Sequence, residues 1–90
     1  MEIVKQTARK MEKRIGVIGL VIKPTVCNTA GIQEALRVHE ALIIGKMEIP
    51  RAGRGQMVTA LLIEATTDEV GALTGKLGNL PDVRVKTSLV

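Results

Sequence analysis

The chain has no phenylalanine, tyrosine or tryptophan among its 90 residues. A core without rings must be assembled from Ile, Val, Leu, Met and Ala, and no side chain can stack on a base or a sugar. This excludes the single-stranded nucleic-acid modules that read bases on aromatic platforms. Cysteine is nearly missing too. Cys27 stands alone, which rules out an internal disulfide and suits a reducing cytoplasm. No apolar run approaches the length that crosses a bilayer. The basic N-terminus has no apolar stretch behind it of the signal-peptide kind. The expectation is a soluble, cytoplasmic domain without membrane contact, small enough to gain from self-association.

Acidic side chains are scarce relative to basic ones, 9 against 13, for a net charge of +4. The excess is unevenly placed. Residues 1–14 hold five basic and two acidic side chains, whereas the remaining 76 residues hold 8 and 7 and are almost neutral. A phosphate-backbone footprint needs its charge gathered on one face of a fold, so nucleic acid is not the expected partner. Residues 1–13 read as a polar, basic extension, with Val4, Ala8 and Met11 at weak helical spacing. Residues 14–90 read as one domain.

Arg14 to Lys23 is a first strand whose two faces, Ile15/Val17/Gly19/Val21 and Gly16/Ile18/Leu20/Ile22, are both apolar, as in strands covered on two sides. Pro24 ends it. A helix follows from about Thr29 to Glu40, with Ile32, Ala35, Leu36 and His39 on one side and Asn28 or Thr29 as its cap. In a second strand, Leu42 to Ile49, Ile43, Met47 and Ile49 share one face while Lys46 and Glu48 share the other. Pro50 to Gly55 is a turn by composition. The third strand, Gln56 to Ala65, is apolar on both faces. Thr66 and Glu69 form a capping box that opens a second helix. Val70, Leu73, Leu77 and Leu80 stripe that helix, and Gly78 and Pro81 stop it. Val83 to Thr87 alternates as a fourth strand.

The order βαββαβ, with the first and third strands apolar on both faces, predicts an α+β, ferredoxin-like fold. Its four-stranded antiparallel sheet has strand order 4-1-3-2 and carries both helices on one face. The other face, including Val17 and Val21, then needs cover of its own. The expected partner is a second copy, in a homodimer packed through the sheets or joined at an edge strand, or in a tetramer.

Residues carrying chemistry are few. Gly71 to Leu77 resembles a P-loop, but it has three residues between its glycines instead of four and Leu77 after the lysine, and it lies inside a helix. Gly71, Gly75 and Gly78 instead read as a small-residue strip where the helix approaches a neighbour closely. Cys27 and His39, without a third ligand, do not make a closed metal site within one chain. Glu64, Asp68 and Glu69 gather around a helix N-terminus, where negative charge is favoured in any case. No nucleophile–base arrangement and no cofactor motif is present, and the expectation is a non-enzymatic protein. One loop, Lys23 to Gly31, sets Asn28, Thr29 and Gly31 beside free helix amides. These three residues are the candidate ligand-binding site for a carboxylate or another small anion, with simple helix capping as the alternative.

Three segments carry a resemblance: Met11-Glu12-Lys13-Arg14-Ile15-Gly16-Val17-Ile18-Gly19, Ile43-Ile44-Gly45-Lys46-Met47-Glu48-Ile49-Pro50, and Thr66 to Gly78. Together they resemble a small bacterial family of iron-only ([FeFe]) hydrogenase system regulators, whose members are similar to ACT domains and to the C-terminal domain of nickel-responsive regulators. The resemblance covers most of residues 11–90, and its third segment is the most specific. It implies an ACT-like fold and a regulatory role tied to hydrogenase expression or assembly. Glu48 stands where the family pattern has glycine, and the several His and the Cys of the nickel regulators have no counterpart. The resulting expectation is a ligand-responsive regulatory domain, with a protein-binding adaptor that takes no small molecule as the alternative.

Overall fold

The computed structural model of the protein describes residues 12–51 and 54–90. The expected N-terminal extension lies outside them except for Glu12 and Lys13. Strands β1 (Arg14–Ile22), β2 (Ile43–Arg51), β3 (Gln56–Ala65) and β4 (Val83–Leu89) form one antiparallel sheet of order β2-β3-β1-β4. Helices α1 (Val26–Val38) and α2 (Thr67–Gly78) connect β1 to β2 and β3 to β4. This is the ferredoxin-like arrangement the sequence predicts, with β1 and β3 in the middle.

Antiparallel partners directly opposite one another share a face, so the pairing sorts every strand residue. Ile18 stands opposite Leu61, and Leu20 opposite Thr59 and Val85. These residues and Ile63, Ala65 and Ile22 turn toward the helices. There they bury against Ile32 and Ala35 of α1 and Val70, Leu73 and Leu77 of α2. One aliphatic core results, confined to the helix side of the sheet. Gly16 is required in it, because a Cβ at that position would come within 2.5 Å of the Leu89 side chain and 2.9 Å of the Ser88 carbonyl.

Helix α2 begins as the sequence predicts. The Thr66 hydroxyl accepts from the Glu69 amide at 3.2 Å, and the Glu69 carboxylate accepts from the Thr66 amide at 2.9 Å. Helix α1 begins earlier than expected. Its cap is Thr25, not Asn28 or Thr29, and Asn28 is the third residue of a second capping box. The short Asn28 side chain performs the reciprocal role that Glu69 performs in α2, so the chain turns helical directly after Pro24-Thr25.

Two further expectations are corrected. Ile43 does not share a face with Met47 and Ile49. A β-bulge between Ile43 and Gly45 inserts a residue, which sets Ile43 opposite Ile63 on the core side and leaves Met47 and Ile49 on the far face. The glycines of α2 make no close approach within the protomer: a Cβ at Gly71, Gly75 or Gly78 would meet nothing within 4 Å. They lie on the outer side of the helix, opposite the Val70/Leu73/Leu77 stripe.

Candidate functional site

The loop from Lys23 to Gly31 is built around one buried amide. Asn28 has no exposed surface. Its Oδ1 accepts from the Thr25 amide at 2.8 Å, and its Nδ2 donates to the carbonyls of Lys23 at 2.8 Å and Pro81 at 2.9 Å. The Lys23 amide in turn donates to the carbonyl of Asp82, a residue held at φ 60° in the α2–β4 turn. Asn28 therefore clamps the start of α1 to the turn before β4, with each hydrogen-bonding group of its side chain engaged. Its own amide donates to the Thr25 hydroxyl, and the Thr29 amide donates to the Thr25 carbonyl. The amides at Asn28 and Thr29 thus close the first turn of the helix and do not face outward.

The three candidate residues face two ways. Asn28 and Gly31 look toward the α2–β4 turn, where a Cβ on Gly31 would lie 2.5 Å from a methyl of Leu80. Thr29 is exposed and looks the other way, into a groove of about 660 Å³ between α1 and the β2–β3 hairpin. Ile22, Ile32, Leu36, Ile43 and Met57 supply the apolar walls of this groove. Thr29, Gln33 and Arg37 line it along α1, and Lys46 and Glu48 line it along β2. The groove exists because the helix side of the edge strand β2 is left uncovered beside α1.

Four charged side chains line it: Arg37 and Glu40 from α1 and the turn after it, and Lys46 and Glu48 from β2. Arg37 makes a bidentate contact with Glu34, at 2.7 and 3.2 Å, and Lys46 lies 3.2 Å from Glu48. The hydrogen bond from Arg37 holds the Glu34 carboxyl below the usual carboxylate range and raises the guanidinium. Both pairs are exposed, so a ligand could recruit Arg37, Lys46 or Glu48 at little cost. The surface presents both signs of charge above apolar walls, which suits an amphipathic small molecule.

Cys27 and His39 occupy opposite ends of α1, about 18 Å apart at 1.5 Å per residue. Cys27 is exposed, while His39 has its Nε2 buried without a hydrogen-bond partner among the described residues. No group of three or more potential metal ligands is present among the described residues. No helix among them is long and apolar enough to cross a membrane.

The groove was not foreseen from the sequence, although it left a signal there. Lys46 and Glu48 are charged on the strand face that turns toward the helices, as happens when no helix lies over them.

Residues 14–87 match the family "TM1266-like: Iron-only hydrogenase system regulator, putative". The chain belongs to this family. Among solved structures it is similar to the uncharacterized protein TM1266 from Thermotoga maritima. The two are 28% identical over 88% of this chain and 99% of that one, with a TM-score of 0.85. It also shares its fold with an unknown protein from Galdieria sulphuraria, at 15% identity and a TM-score of 0.65. That likeness covers 88% of this chain and 46% of the other. Among curated proteins none matches. The family description points to regulation of an iron-only hydrogenase system and names neither ligand nor mechanism.

Proposed function

We propose that this domain is a non-enzymatic, ligand-responsive regulator acting in the cytoplasm, and that its ligand is a small amphipathic molecule held in the groove between α1 and the β2–β3 hairpin. The groove itself carries the reading. It offers apolar walls and hydrogen-bonding edges at a volume typical of small-molecule sites, beside side chains that form no catalytic constellation. Of the three residues expected at the site, Thr29 touches the ligand from the lip. Asn28 and Gly31 act from behind by fixing the loop and the helix start. Occupancy would couple the edge strand β2 to α1, two elements that otherwise leave a gap, and that change in rigidity is what a regulatory partner would sense.

A thermal-shift panel of amino acids, nucleotides and divalent metals tests the proposal. A ligand present at about a hundred times its dissociation constant adds about 2.7 kcal/mol to stability, which is a shift of roughly 10–20 °C for a domain of this size. The shift should shrink in Gln33→Ala and Lys46→Ala and persist in a substitution on the outer side of α2. A panel that leaves the melting temperature unmoved favours an adaptor that binds protein alone.

A further inference from the structure

Over its central rows, the face of the sheet turned away from the helices is apolar in three columns and polar in the fourth, with Arg51 and Gln56 at one end and Glu64 at the other. Across β2, β3 and β1 the opposed residues run Gly45–Leu62–Val17, then Met47–Ala60–Gly19, then Ile49–Val58–Val21. On β4 the same rows end in Ser88, Lys86 and Arg84. Met47 is 61% exposed, Leu62 47%, Ile49 46% and Val17 40%. The apolar part is therefore centred on β3, half a strand off the middle of the sheet.

We infer that this face is the contact surface for a second copy of the chain, with a two-fold axis running along β3. That axis lays β2 of one copy over β1 of the other and β3 over β3. It carries each β4 past the edge of the partner's β2, so Arg84 and Lys86 stay in water. Cations at the rim and aliphatics at the centre are the usual distribution in a specific interface.

The relief of the surface agrees with this axis. Rows stay in step, so the protruding Met47 sits above the partner's Gly19, and Val17 sits above the partner's Gly45. A two-fold across the strands would instead set Met47 on Met47 and bring the two Lys86 side chains together. Three strands about 4.8 Å apart and seven residues long project roughly 330 Å². With side-chain relief, two copies bury on the order of 1,000 Å², the lower limit for a specific dimer. A reversible dimer is the expected result. The one charge on the axis is Glu64, opposite Ile15 at the end of β3, where the two copies' carboxylates approach each other.

Sedimentation of the full chain at tens of micromolar, with far-UV circular dichroism as the check on folding, tests the arrangement. The wild type should be a dimer. Gly19→Leu should remain folded, because the nearest atom to its Cβ is the Lys86 carbonyl at 3.9 Å, and it should be monomeric because the knob of the partner has lost its hole. Met47→Gly should raise the dissociation constant by about tenfold or more. Adding Gly19→Met to it should restore the dimer, since knob and hole have changed places. Glu64→Gln should tighten the dimer, and Lys86→Glu should leave it intact. A wild-type monomer overturns the inference, as does a Gly19→Leu variant that still dimerises. Dissociation of Lys86→Glu as complete as that of Gly19→Leu overturns the axis.

Discussion

Replacing Asn28 by alanine removes three hydrogen bonds at once: the one accepted from the Thr25 amide and those donated to the carbonyls of Lys23 and Pro81. The fourth contact, from the Asn28 amide to the Thr25 hydroxyl, belongs to the backbone and survives. Each lost bond is worth about 1 kcal/mol net, and the backbone groups left behind lie where water reaches them poorly, so the total is about 3 kcal/mol. A domain of this length has on the order of 5–13 kcal/mol of stability, so the loss is large but leaves the fold populated. Urea denaturation followed by far-UV circular dichroism is the suitable assay, because the chain has no aromatic fluorophore. With a slope of about 1 kcal/mol per molar urea, the midpoint should fall by about 3 M. Asn28→Asp should cost more than Asn28→Ala at neutral pH, since an ionised oxygen would replace the donor that faces two carbonyls. A loss below about 1 kcal/mol for Asn28→Ala, or an Asp variant as stable as the wild type, would refute the clamp. The α1 start and the α2–β4 turn would then be held independently.

Thr66→Ala should lower stability by about 1 kcal/mol through loss of the α2 cap, read as an unchanged slope and a lower midpoint in urea; no change would place the cap elsewhere. Gly75→Ala should raise stability by about 1 kcal/mol, because the added methyl meets nothing within 4 Å while the unfolded chain loses freedom; a loss instead would show that another molecule packs on this face of α2. Hydrogen bonds from the Thr66 amide and hydroxyl region hold the Glu69 carboxyl below its ordinary value, with Thr66 as the principal cause. A depressed carboxylate stabilises the fold above its unfolded pKa, and that contribution is lost as pH falls through the lower folded value. Melting temperature should therefore drop on acidification below the ordinary carboxylate range, and Glu69→Gln should flatten that part of the profile.

Much of the fold was legible because its signals are local. The Thr66/Glu69 box, the alternating apolar residues of β3 and the double-sided apolar character of β1 are each contained in a few consecutive residues. They place the elements and, through burial, the strand order. Thr25 was harder to see as a cap, since Asn28 and Thr29 are equally good capping residues and only the contact of Asn28 with Pro81, 53 residues away, selects the earlier start. Of the expected ligand-binding trio, Thr29 lies on the groove, whereas Asn28 and Gly31 face the α2–β4 turn.

Which segments are helix and strand, that the core is aliphatic, and that one sheet face lacks a helical cover can all be read along the chain. Those properties follow from periodicity and composition, which do not depend on what a segment later touches. Which side chains share a surface emerges from the packed fold. A bulge at Ile44 turned Ile43 inward, because the register of an edge strand is fixed by its partner and one inserted residue reverses the alternation. The groove arose because the helix side of β2 is left uncovered beside α1, and the strip of α2 glycines faced outward because Val70, Leu73 and Leu77 claimed the opposite side. Such relations join residues far apart in the chain, and the local pattern hints at only one of them, through the charged Lys46 and Glu48 on the helix side of β2.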